Sequence, residues 1–155
     1  MRNKRYFFNI FTIFIIKFYK RGKIMSRSLI PWIDIGEELR SQIIEKLKQY
    51  ANKRGDIKMF VLYGSFLVRN FIRDIDVAIF GEKEGKDLLK LEFEIEEELV
   101  KILKLPVDVR VINEAPPWFV KEVIKSGLIL KGEEIAISLY KKAIDEMEGL
   151  RIKGS

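Results

Sequence analysis

Three carboxylates sit where their neighbours are strand formers. Asp74 and Asp76 lie two residues apart at the head of a β-branched, apolar run, and Asp108 lies between valines in a later one. Acids are depleted in strands, and a period of two puts Asp74 and Asp76 on one sheet face. Like charges on one face repel unless something positive lies between them, and a divalent cation with oxygen ligands fills that role. If the strand of Asp108 is a neighbour, a third carboxylate joins the pair. Such a cluster around Mg2+ (or Mn2+) neutralises and aligns the phosphates of a nucleotide. The competing reading of Asp74 and Asp76 is a solvated strand-edge turn. For Asp108 it is an ion pair with Arg110.

Gly64-Ser65 supplies the complementary part. A strand is expected to end there, with a helix beginning at or after Ser65. Glycine permits close backbone approach, helix N-terminal amides bind phosphate, and the serine hydroxyl adds a donor. Taken alone, Ser65 would be a helix cap. An anion cradle beside a carboxylate–metal cluster implies phosphoryl or nucleotidyl transfer. The P-loop pattern, two glycines with four residues between them followed by Lys and Ser or Thr, is absent. So are Cys and His. Their lack excludes disulfides, thiolate nucleophiles, zinc sites built on Cys or His, and imidazole acid–base catalysis. The lack of Cys also fits a reducing cytosol, so a cytoplasmic location is expected.

The elements that must position these residues follow from hydrophobic spacing. A helix is expected over 34–54, its stripe formed by Leu39, Ile43, Ile44 and Leu47. Strands are expected over 57–63, 74–80 and 106–112, with a short extended run over 128–131. Helices are expected over 66–71, 87–103, 118–125 and 133–148, the last closed by Gly149. The acids over 94–98 read as a solvated helix face, and Trp118 and Phe119 as core. This alternation predicts an α/β (α+β) domain with a short mixed sheet flanked by helices.

Two stretches together resemble a known family. Leu62-Tyr-Gly-Ser-Phe-Leu-Val-Arg-Asn-Phe-Ile-Arg-Asp-Ile-Asp-Val-Ala-Ile-Phe80 resembles the signature of the DNA polymerase β-like nucleotidyltransferase superfamily: Gly-Ser, a short helix, then Asp-x-Asp on a strand. Pro106-Val-Asp-Val-Arg-Val-Ile-Asn-Glu-Ala-Pro-Pro117, with Lys125-Ser-Gly-Leu-Ile-Leu-Lys-Gly132, is similar to the third-Asp strand and tail of its minimal nucleotidyltransferase (MNT) branch. The resemblance spans 57–132 and implies the polymerase β-like fold. It implies that Gly64 and Ser65 hold nucleotide phosphates and that Asp74 and Asp76 hold the metals. Asp108 would complete the metal site and help activate the attacking hydroxyl. Arg69 and Arg73, in the connection, are further candidates for phosphate contact, against a surface or ion-pair role. Minimal members often pair with a helical HEPN-domain toxin as its antitoxin, and some transfer AMP from ATP onto that partner. This chain departs from the pattern in one respect: eight residues, from Phe66 to Arg73, separate Gly-Ser from Asp-x-Asp, where the family usually has about ten. The shorter link is expected to alter the nucleotide pocket or to reduce activity. It motivates the alternative of an antitoxin that neutralises its partner by binding alone.

Charge bounds the partners. The 155 residues carry 29 Lys plus Arg against 23 Asp plus Glu, a net of +6. Residues 1–25 hold seven of the bases and no acid, so the body is close to neutral. A nucleic-acid-binding surface would need that charge on the body. Residues 1–25 therefore read as a basic, apolar N-terminal extension, and 26–155 as one nucleotidyltransferase domain. Met25-Ser-Arg-Ser looks like a start of its own. A membrane-associated tail and a cleaved signal rank behind that reading, since the apolar run over 6–16 falls short of the roughly 20 residues of a spanning helix.

Overall fold

The computed structural model describes residues 32–82 and 84–153. The reading of residues 1–25 lies outside them.

Four strands form the central sheet: β2 (Ile57–Tyr63), β4 (Ile75–Gly81), β5 (Val107–Val111) and β6 (Leu128–Lys131), in the order β5-β4-β2-β6. β2 runs antiparallel to β4 and β6, and β5 is parallel to β4. A separate two-stranded ribbon pairs β1 (Ile33–Asp34) with β3 (Phe71–Ile72). The helices are α1 (Glu37–Lys53), α2 (Lys86–Leu103), α3 (Pro117–Ser126) and α4 (Glu133–Lys153). This is the expected mixed α/β domain.

Period two sorts the strand residues onto the two faces. Phe60, Leu62, Ile75, Val77, Ile79, Val107 and Val109 pack with Leu39, Ile43 and Leu47 of α1 and Leu91, Ile95 and Leu99 of α2. On the other face Met59, Val61 and Ala78 meet Val120 and Val123 of α3 and Ala136 and Ala143 of α4. Among the described residues no helix is long and apolar enough to cross a membrane.

The expected strand over 57–63 coincides with β2. Other elements differ for physical reasons. The helix expected from residue 34 begins at Glu37, because Ile33 and Asp34 are taken up by the ribbon. The helix expected over 66–71 is a four-residue 3-10 turn, Gly64–Leu67, and Phe71 belongs to β3. There Ile35 N donates to Asn70 O at 2.7 Å, so a tertiary pairing wins over local helix preference. Gly149 does not close α4, which continues to Lys153. A glycine inside a helix costs only about 1 kcal/mol relative to alanine.

The acids over 94–98 are not simply a solvated face. Glu96 is buried, and its Oε2 accepts from Val109 N. One turn earlier, Glu92 Oε2 accepts from Val111 N at 2.9 Å. These amides point away from β4, at the sheet edge, and helix α2 satisfies them with carboxylates. Glu94 and Glu98 both reach Arg54 Nη1, at 2.8 and 2.9 Å. Arg54 also grips Asp56 through Nε and Nη2. Lys131 of β6 donates to Ala51 O and Arg54 O at the end of α1, each of which also accepts from a backbone amide. Trp118, expected in the core, is 61% exposed, while Phe119 is half-buried against the second core.

Replacing Glu92 with alanine strands an edge amide, which costs about 1–3 kcal/mol. Chemical denaturation of Glu92→Ala should show that loss in midpoint with an unchanged slope. Glu92→Gln, whose amide oxygen still accepts, should recover most of it. Equal losses in the two variants would refute the carboxyl oxygen as edge acceptor.

Candidate active site

β2 ends in Tyr63, and the chain leaves the sheet through Gly64 at φ +80. That conformation suits glycine. The position also lacks room for a side chain, since a Cβ on Gly64 would overlap Asp76 Oδ2. The backbone of the turn is thus pressed against the carboxylate of the adjacent strand. Ser65 follows, and its carbonyl accepts from Val68 N at 3.1 Å and Arg69 N at 2.8 Å. The turn has only four residues, so a long helix dipole is not available at this point.

The strand register assembles the acids. Asp76 is the Cα partner of Asp108 across the parallel β4–β5 pair, and of Tyr63 across the antiparallel β2–β4 pair. Tyr63, Asp76 and Asp108 therefore form one row across three strands, on the face that α3 and α4 cover further along. Asp74 immediately precedes β4, two residues before Asp76. The register brings Asp76 and Asp108 together beside the Gly-Ser turn at one end of the sheet, with Asp74 two residues before Asp76.

Electrostatics report the same proximity. The Tyr63 phenol is pushed well above the usual phenol range. Burial is the largest cause, and the charges of Asp76, Asp108 and, more weakly, Asp74 act in the same direction, with Arg110 opposing them. Arg110 Nε lies 3.3 Å from Asp108 Oδ1. The ion pair read as the alternative role of Asp108 is therefore present, and it lies within the acid row. Arg110 is the more exposed partner, at 56% against 23%, so water screens the pair.

The donor set is entirely oxygen, which suits a hard divalent cation. Among the described residues no three acidic side chains close into a cation cage. Mg2+ does not need one: it usually keeps water and takes one or two carboxylates together with substrate phosphates. Asp74 and Asp76, with the open backbone of Gly64 beside them, fit that mode of binding.

Arg69 and Arg73 lie beside the turn. Arg69 is exposed, and its carbonyl accepts from Arg40 Nη2 at 2.7 Å. The Arg40 guanidinium also sits 4.9 Å from the centre of the Phe66 ring, so α1 clasps the turn from below. Arg73 lays its guanidinium 4.4 Å from the centre of the Trp32 ring. Tyr63, Arg40 and Trp32 did not stand out in the sequence. Only Tyr63 carried a signal, its place directly before Gly64.

A family model described as polymerase beta nucleotidyltransferase matches residues 45–135. No curated protein matches the sequence. Among solved structures, the chain is similar to one in the tri-AMPylated Shewanella oneidensis HEPN toxin in complex with MNT antitoxin. The TM-score is 0.58 and the identity 18%, over 74% of this chain and 91% of that one. A toxin-antitoxin structure with AMP-PNP gives 0.57 at 20% identity, over 72% and 90%. The toxin-antitoxin MntA-HepT gives 0.54 at 18%, over 76% and 92%. At these identities the likeness is one of fold.

A phenol held neutral in the folded state releases its proton more readily once the chain unfolds. The stability it contributes is therefore intact below about pH 10, the ordinary phenol value, and lost as pH rises beyond it. Tyr63→Phe should flatten the alkaline fall in stability. It should also leave the phenolate absorbance of the folded protein unchanged up to about pH 11. A phenolate step near pH 10 that the variant lacks would show that Tyr63 titrates as an ordinary tyrosine.

Proposed function

Because the chain belongs to the polymerase beta nucleotidyltransferase family, we propose that it transfers AMP from ATP to a hydroxyl on a HEPN-type toxin and acts as the antitoxin of that pair. One observation carries the chemistry: Asp76 and Asp108 stand in register on adjacent parallel strands, with the Gly64 backbone against Asp76. The choice of AMP and of a HEPN acceptor draws on the structures of similar fold. One contains a tri-AMPylated HEPN toxin with an MNT antitoxin, and another AMP-PNP.

In this reading the turn at Gly64 and Ser65 receives the triphosphate through the peptide backbone and the Ser65 hydroxyl. Asp74 and Asp76 would hold Mg2+, which when bound offsets the charge of the phosphates. Asp108 accepts the proton of the acceptor hydroxyl, with the Arg110 guanidinium beside it. The hydroxyl oxygen bonds to the α-phosphorus, the bond from that phosphorus to the bridging oxygen breaks, and pyrophosphate departs. Tyr63, kept neutral by its surroundings, fills the row beside Asp76 without adding charge. The acceptor is a Tyr or Ser/Thr hydroxyl, and the reaction belongs to the cytoplasm, where ATP is at hand and a chain without Cys needs no oxidising compartment.

Incubation with ATP labelled at the α-phosphate, Mg2+ and the HEPN-type partner should put label on the partner. Replacing Asp74 and Asp76 together with Asn should reduce transfer by at least about a hundredfold. Gly64→Ala should do the same while the chain stays folded, as circular dichroism would check. Transfer that survives the double replacement would remove this mechanism. A partner still neutralised by the double variant would mean that binding alone carries the antitoxin effect.

A further inference from the structure

We propose that the pocket beside the Gly64–Ser65 turn receives the base of the nucleotide, with Trp32 as its stacking platform. The inference deepens the nucleotidyl-transfer reading and rests on it.

The pocket is an open recess of about 560 Å³, lined among the described residues by Trp32, Arg69, Asn70 and Phe71. That volume suits a small-molecule site. Two large aromatic side chains stand exposed at its wall, Trp32 at 56% and Phe71 at 59%. Exposed aromatics placed together lose unfavourable water contact when a flat partner covers them.

The platform is held in place. Ile33 pairs with Ile72 and Asp34 with Phe71, so Trp32 and Arg73 fall opposite one another one step beyond the ribbon. The Arg73 guanidinium lies over the indole at 4.4 Å. Such a contact holds the ring against rotation. The ring then presents a fixed surface to the recess, at little entropic cost on binding.

The position suits a base rather than phosphate. The recess begins one turn from Ser65, whose carbonyl accepts from the amide of Arg69, one of its lining residues. A nucleotide with its phosphates at Ser65 has a short reach to this wall. A base offers what the wall complements: a π face for the aromatic rings and polar edges for the Asn70 amide and the Arg69 guanidinium. The rival platform is Trp118, also exposed, which stacks edge-to-face on Phe119 at 5.7 Å, and Phe119 on Tyr63 at 6.1 Å. It belongs to α3, which covers the sheet face that carries the acid row, and is therefore the competing stacking site.

The chain has two tryptophans, so Trp118→Phe leaves Trp32 as the single indole reporter. In that variant ATP with Mg2+ should quench the emission to saturation. Inorganic tripolyphosphate with Mg2+, which carries phosphates and no base, should bind without quenching. In calorimetry Trp32→Ala should weaken ATP about tenfold and leave tripolyphosphate unchanged, while Trp32→Phe should recover most of the loss. Absence of quenching in Trp118→Phe, or an unchanged ratio of ATP to tripolyphosphate affinity in Trp32→Ala, would overturn the base pocket. A loss of ATP affinity in Trp118→Phe alone would place the base at Trp118 on α3 and overturn the proposal. If the wild-type chain binds neither ATP nor tripolyphosphate, the nucleotidyl-transfer reading fails first and takes the pocket with it.

Discussion

The register of β4 against its two neighbours decides what this molecule can do. Asp76 faces Asp108 only because β5 lies parallel to β4 with Val107 opposite Ile75 and Val109 opposite Val77. Those four side chains are buried in the core under α1 and α2. A slip of one residue would swing Asp108 into that core and expel the valines. Burying an isolated carboxylate costs far more than a displaced hydrophobe. The acid row is thus pinned by the apolar row beneath it, on alternate residues of the same strands. Repulsion between the carboxylates is accepted at the sheet end, where Arg110 and water temper it.

A second set of charges does structural work that an alternation pattern alone would not suggest. The outer edge of β5 would otherwise present unpaired amides, a template for pairing with another chain. Glu92 and Glu96, one helical turn apart on α2, take up two of these amides. Glu94 and Glu98, interleaved with them, turn toward Arg54 at the end of α1. One run of acids therefore fastens α2 to the sheet on one side and to α1 on another. Its sequence reads like a solvated stripe because spacing records which side of a helix a residue occupies and not what faces that side.

The same distinction sets how much was legible. β2, β4, β5, α2 and α3 follow from periodicities of two and 3.6, and the three Asp residues and Gly64 from residue types that strands and turns otherwise avoid. What escaped depends on distant partners. Phe71 ends the expected helical stretch over 66–71, yet it pairs with Asp34, as the next residue, Ile72, pairs with Ile33. Trp118 looks like core by composition, yet Phe119 takes the inward position and leaves it exposed. Gly149 reads as a stop, but a helix stops at glycine only when the following residues adopt a capping turn. Tyr63 is an ordinary strand residue until the register sets it beside Asp76.

The shortened link between Gly-Ser and Asp-x-Asp takes on a specific meaning in this light. Eight residues leave no room for a full helix before the chain must return to β4, so it makes a tight 3-10 turn and then a ribbon with β1. Neither end of the link is disturbed: Gly64 still abuts Asp76, and Asp76 still faces Asp108. The change falls on the middle, residues 68–73, which supply Arg69, Asn70 and Phe71 to the recess and bring Arg73 onto Trp32. Shortening therefore acts on the wall of the recess more than on the Gly64 end of the link. On this argument the departure alters the recess wall and leaves Gly64, Asp76 and Asp108 in their mutual register.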